Sequence, residues 1–148
     1  MIFKQWQQVL GGTKTQTRRL RTLRDEFDAM ICVEPFRDTV FRKGVVKWRV
    51  GNTYAVQPGR GKKAVGRTPP IKVIRRERLG DISAADVFAE GLGIYSVSDG
   101  NWYPVTALDV AQEMYAQLWN SIYGPGAWER MMDDDVWALE FKNEGSET

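Results

Sequence analysis

Residues 71–92 read IKVIRRERLGDISAADVFAEGL, and the fold class turns on them. Ile71 and Val73 alternate against Lys72, so residues 71–78 open as a β-strand. The period then changes. Residues 81–92 read as a short helix, with Ser83 at its N-cap, Asp86 three residues on as a capping-box variant, and Gly91 to close it. Downstream, residues 93–105 read as a loop in which Trp102 and Tyr103 lie beside Asp99-Gly100-Asn101. Thr106 is placed to cap a longer helix carrying Leu108, Ala111, Tyr115, Leu118, Trp119 and Ile122 on one face, ended by Gly124. Residues 136–142 (VWALEFK) form a closing strand with Trp137, Leu139 and Phe141 on one side. Residues 143–148 are expected to be a frayed tail.

Upstream, residues 58–70 (PGRGKKAVGRTPP) are a Gly/Pro/basic loop, and residues 47–57 a strand, turn and strand. Residues 21–47 mix charges with an apolar MICV run and a proline. They read either as a short helix and a strand or as an irregular insertion. Residues 3–10 form a helix, with Phe3, Trp6, Val9 and Leu10 at helical spacing and Gly11-Gly12 as its stop. TKTQTRRL (13–20) then runs from a loop into a strand. Strands and helices mix without a regular βαβ rhythm, which predicts an α+β fold rather than a doubly wound sheet.

The composition, 43% hydrophobic and 27% charged over 148 residues, is that of one soluble globular domain, taken as 1–142. No apolar run approaches the roughly 20 residues of a membrane helix, and MIFKQWQQVLGG does not read as a signal peptide. Cys32 is the lone cysteine, so no intramolecular disulfide can form, and a cytoplasmic monomer is expected. There is no histidine, which removes Ser-His-Asp and Cys-His mechanisms and makes a zinc site unexpected. No metal or organic cofactor is implied. Charge is sorted: residues 1–80 hold 19 basic and 6 acidic side chains, residues 81–148 hold 2 and 13. Such sorting predicts a basic face able to attract phosphates, unless the two halves neutralise each other within the fold.

Gly12-Thr13-Lys14-Thr15-Gln16-Thr17-Arg18, following a short helix, resembles the GxKxxxR signature of the ASCH domain family. A strand and a short helix ending in Glu90-Gly91, then a Leu-Trp helix (YAQLWNSIYG) and the strand VWALEF, match that family's order of blocks. The resemblance implies a PUA-like pseudo β-barrel with short flanking helices and a cleft for a nucleobase or nucleotide. It also implies a comparison with bacterial amidohydrolases that deacetylate N4-acetylcytidine. Their pattern is a Lys, a Thr three residues later and a Glu on a downstream helix. Lys14, Thr17 and Glu90 match those positions. The Thr-Arg-Arg-Leu continuation and YAVQPGRGK look more like phage-associated ASCH proteins.

For amide hydrolysis Thr17 offers the hydroxyl, which needs a base. Lys14 is that base if burial or nearby Arg18 and Arg19 bring its pKa down from about 10.4. Charged, it would instead stabilise the oxyanion, with Glu90 as base or proton shuttle. Residues three apart on a strand face opposite ways, so Lys14 and Thr17 can act together only if 13–17 is a turn or bulge. Glu77 is a second candidate carboxylate, with an ion pair among Arg75, Arg76 and Arg78 as the alternative. Arg18 and Arg19, with Arg60, Lys62, Lys63 and Arg67, are candidate substrate or phosphate contacts. Trp102 and Tyr103 are candidate stacking platforms for a base. Trp48 and Tyr54 read as barrel core, and Trp119 and Trp137 as core. Three functions follow: an amidohydrolase of N4-acylated cytidine nucleosides, a non-catalytic RNA-binding module, or a ribonuclease.

Overall fold

Through the residues described, 1–22, 25–27 and 38–142, the computed structural model begins with α1 (Trp6–Gly11), β1 (Gln16–Leu20) and β2 (Asp25–Phe27). It continues through β3 (Thr39–Arg42), β4 (Val45–Arg49), β5 (Ala55–Val56), β6 (Gly66–Arg67) and β7 (Ile71–Arg78). There follow α2 (Ala84–Ala89), β8 (Ile94–Tyr95), β9 (Trp102–Tyr103), α3 (Leu108–Tyr123), α4 (Ala127–Met131) and β10 (Asp135–Phe141). The architecture is α+β. All strand pairs within the named sheets are antiparallel.

The sheet β1-β10-β7 positions the site. Its central strand, β10, is buried on both faces because it has a packed layer on each side. Trp137, Leu139 and Phe141 enter one cluster with Ile71 and Ile74 of β7, Val40 and Trp48 of the β2-β3-β4 sheet, Val56 of β5, and Phe3 and Val9. Val136 enters a second cluster with Leu79, Ile82, Val87, Ala111, Tyr115 and Trp119, where α2 and α3 pack. The strand ladders do not close into a barrel among the described residues.

Several elements differ from expectation for identifiable reasons. The first helix starts at Trp6, because Phe3 N–H donates to Gln57 and Ile2 bridges the same residue, drawing the first residues into extended pairing. The strands on either side of the 50–52 turn do not pair with each other: β4 pairs with β3, and β5 with β6, which lies inside the predicted 58–70 loop. The predicted loop at 93–105 holds the β8-β9 hairpin, with Tyr95 opposite Trp102 and Ile94 opposite Tyr103. Thr106 does not cap α3. Ala107 holds the N-cap position without a side-chain hydrogen bond. The short α4 falls between the two predicted elements at the C-terminal end. The frayed tail at 143–148 and the MICV run with Cys32 lie outside the described residues. No helix among the described residues is long and apolar enough to cross a membrane.

Candidate active site

The site is assembled by the ends of two short helices and the strand β1. Gly12 takes φ 82°, the left-handed conformation that ends α1, and the chain turns to present Lys14 before β1 begins. Lys14 N–H and Thr13 N–H both donate to Gln8 O, so the turn is pinned to α1. Lys14 therefore precedes the strand, and the alternation of β1 does not separate it from Thr17. On the other side, Ser83 accepts from Asp86 N–H at 3.1 Å and caps α2, whose C-cap residue is Glu90. The Asp86 carboxylate does not complete a capping box. It turns to Gln16, Arg18 and Arg75. Thr15 N–H donates to Ala89 O at 2.7 Å, which joins the two segments. At Gly91, φ is 92°, and a Cβ there would stand 3.2 Å from Lys14 Cβ.

Lys14 and Glu90 meet in the interior, 5% and 2% exposed. Lys14 Nζ donates to Glu90 Oε1 at 2.8 Å and to Glu90 O at 3.0 Å. The other carboxylate oxygen, Oε2, accepts from Arg18 at 2.9 Å. One carboxylate thus holds two cations. Arg18 also donates to Glu77, Asp86 and Gln16, and Arg75 donates in turn to Glu77, Asp86 and Glu140. Glu77 is an ion-pair partner of Arg18 and Arg75. Arg76 goes to Asp135, and Arg78 to Asp81 and Asp133.

Burial is the main influence on Lys14 and lowers its pKa. Glu90 opposes this without reversing it, and Arg19 and Arg18 add to the lowering. Burial would lower Arg18 as well, but Glu90 and Glu77 override it and raise its pKa. Thr17 is buried, and its hydroxyl makes no hydrogen bond among the described residues.

Lys14, Thr17, Arg18, Arg19, Arg60 and Glu90 line one cavity of about 570 Å³ beside β1. That volume suits a nucleoside-sized ligand. Tyr115, Trp119 and Tyr123 of α3 and Phe3 complete its apolar walls. Burial raises the Tyr115 phenol well above 10, helped by Glu90, and burial raises Tyr123 too. Both are neutral donors at neutral pH. The sequence reading put Tyr115 on the apolar stripe of this helix, where a tyrosine reads as core, and did not single out Tyr123; a phenol tip on an apolar face was the available signal.

The remaining candidates stand elsewhere. Arg67 lines an adjoining 450 Å³ cavity with Lys14 and Thr15, and its guanidinium donates to the Thr53 hydroxyl and carbonyl. Trp102 lines a third hollow with Gly12, Thr13 and Thr15, and its ring packs against Tyr95. Tyr103 donates to Asp99 on the exposed hairpin. Lys62 and Lys63 are exposed and do not line the Lys14–Glu90 cavity. Among the described residues no cluster of three His, Cys, Asp or Glu side chains is arranged to hold a metal ion. No family model, no curated protein and no solved structure matches the chain.

Proposed function

We propose that this chain is an ASCH-type amidohydrolase that removes the acyl group from N4 of an N4-acylated cytidine, with N4-acetylcytidine as the first substrate to try. The observation that carries the reading is the 2.8 Å Lys14–Glu90 contact in the same cavity as the unengaged Thr17 hydroxyl. Neutral Lys14 takes the proton of Thr17 as Oγ1 attacks the acyl carbonyl carbon. A neutral phenol, that of Tyr115, is available to donate to the oxyanion. On collapse the C–N4 bond breaks, Lys14 returns the proton to N4, and cytidine leaves. Water then hydrolyses the Thr17 ester and releases the carboxylic acid. Glu90 orients Lys14 throughout. When Lys14 is neutral, Arg18 still balances the Glu90 carboxylate, so the site loses no ion pair it needs.

On this reading the fold is an open form of the PUA-like pseudo-barrel. Its support is the core shared by β3, β4, β7 and β10. The substrate class places the chain in the cytoplasm. The test is release of cytidine followed by ultraviolet absorbance, for the wild type and for Lys14→Ala, Thr17→Ala and Glu90→Ala. Turnover lost in all three folded variants is the expected result, whereas a wild type inert on every N4-acyl cytidine refutes the reading.

A second reading, non-catalytic binding of single-stranded RNA, is favoured by the exposed hairpin. Tyr95 and Trp102, 52% and 46% exposed, lie 5.6 Å apart as a surface on which bases can stack. Its mark is affinity for an oligonucleotide that falls steeply with salt and weakens on Trp102→Ala.

A further inference from the structure

The cavity carries more positive charge than its chemistry uses. Among the described residues Glu90 is the one acid in its lining, and Lys14 and Arg18 already share that carboxylate. Lys4, Arg19 and Arg60 are left, and none of the three makes an ion pair among the described residues. Arg19 is the telling one. Its neighbour in the chain, Arg18, meets three carboxylates, whereas Arg19 meets none among the described residues. Arg19 Nε is enclosed without a hydrogen-bond partner among the described residues, and the guanidinium lies 4.6 Å above the Phe3 ring. A guanidinium stacked by one face on a ring, with Nε enclosed, leaves its two Nη groups to bind, and that edge matches two oxygens of a phosphate. Burial acts on Arg19 to lower its pKa, as expected where the charge lacks a counter-ion, and only Tyr123, Glu90 and Tyr115 oppose this.

We propose that Arg19, flanked at the rim by Lys4 and Arg60, is a phosphate subsite, so that the ligand is a cytidine nucleotide, free or within a strand, and not the bare nucleoside. This rests on the reading above for the base and acyl end of the ligand. The phosphate end does not: it rests on Arg19 with Lys4 and Arg60 beside it. The subsite completes the charge balance of the cavity: a phosphomonoester supplies the negative charge that its lining lacks.

Calorimetric binding of cytidine and of cytidine 5′-monophosphate, to the wild type and to Arg19→Gln, tests it apart from any turnover. The expected result is that the monophosphate binds at least about tenfold more tightly, roughly the effect of one charge-assisted contact. That preference should fall to near unity in Arg19→Gln with cytidine affinity unchanged, and it should shrink as salt is added. Should Arg19→Gln not fold, Arg60→Gln together with Lys4→Gln, at exposed positions, should lower the preference several-fold. An arm with an oligocytidine separates the sources: tighter binding than the monophosphate, with a steeper salt slope, assigns the subsite to a strand. Equal binding of cytidine and its monophosphate overturns the proposal, as does a preference that survives Arg19→Gln, or no binding of either. The hydrolysis assay reports separately. A phosphate preference without turnover keeps the subsite and removes the amidohydrolase; turnover without the preference does the reverse.

Discussion

A lysine held at 2.8 Å from a carboxylate in the protein interior answers to two opposed forces, and at Lys14 burial wins. Its pKa lies below the ordinary 10.5, so the folded chain releases this proton at lower pH than the unfolded chain does. Between the two values the unfolded state binds more protons, and the contribution of Lys14 to stability rises with pH across that window. The same titration should appear in catalysis. The rate on N4-acetylcytidine should climb with pH along a limb centred below 10.5, and Lys14→Arg, which cannot deprotonate, should remove both the limb and the activity. A limb at or above 10.5, or an unchanged limb in Lys14→Arg, takes the base role from this residue. Thr17 offers a complementary test. Its hydroxyl lacks a partner among the described residues, so Thr17→Val, equal in shape, should change stability by less than about 1 kcal/mol. Activity should nonetheless fall by more than about a hundredfold, with Thr17→Ser partly restoring it. Denaturant titration beside the kinetics measures both. A Thr17→Val protein that keeps its rate shows that another group attacks.

At the scale of elements, what was legible tracks what is encoded locally. Ser83, the 3.6 period of α3 and the alternation of β7 and β10 act within a few residues, and those elements lie where their patterns put them. Lys14 and Glu90 were singled out by their match to the pattern that the ASCH resemblance implies. Their contact across 76 positions was not legible, because it depends on how α2 docks against the turn after α1. The pairing of β5 with β6, the β8-β9 hairpin and the place of Tyr115 in a cavity wall depend in the same way on what packs opposite. Gly91 marks the docking point. At φ 92°, with Lys14 Cβ and Gln5 Nε2 each 3.2 Å from where its Cβ would sit, it lets the end of α2 approach the lysine turn. Gly91→Ala should therefore cost about 1–2 kcal/mol from the left-handed backbone alone. It should also reduce kcat more than KM, because the displaced group is Lys14. If Gly91→Ala melts lower but keeps full kcat, the close approach serves folding and not the site.

Over the whole molecule, the separation of basic and acidic halves finds two different uses. Much of it is internal pairing across β1, β7, β10 and α2. Arg18, Arg75 and Arg76 of the basic half meet Asp86, Glu90, Glu140 and Asp135 of the acidic half. A second portion, Lys4, Arg19 and Arg60, gathers at one cavity and makes no ion pair there among the described residues. Within the paired portion, burial decides the energy. Arg18 has no exposed side chain, and its loss would leave Glu90, 2% exposed, with Lys14 alone. Arg76 and Asp135 are 43% and 40% exposed, so water and salt screen them. Arg18→Ala should thus cost about 3–5 kcal/mol, the range for breaking a buried ion pair by removing one partner. Arg76→Ala should cost less than about 1 kcal/mol, and added salt should shrink that difference further. Chemical denaturation of both variants in urea, which leaves ionic strength free to vary, separates the cases. Equal losses would mean that the ion pairs act as one network along the sheet, with the exposed pair supporting the buried one. The expected inequality would instead make Arg18 the structural hinge between α2 and β1 and leave the outer pairs to keep the sheet surface in solution.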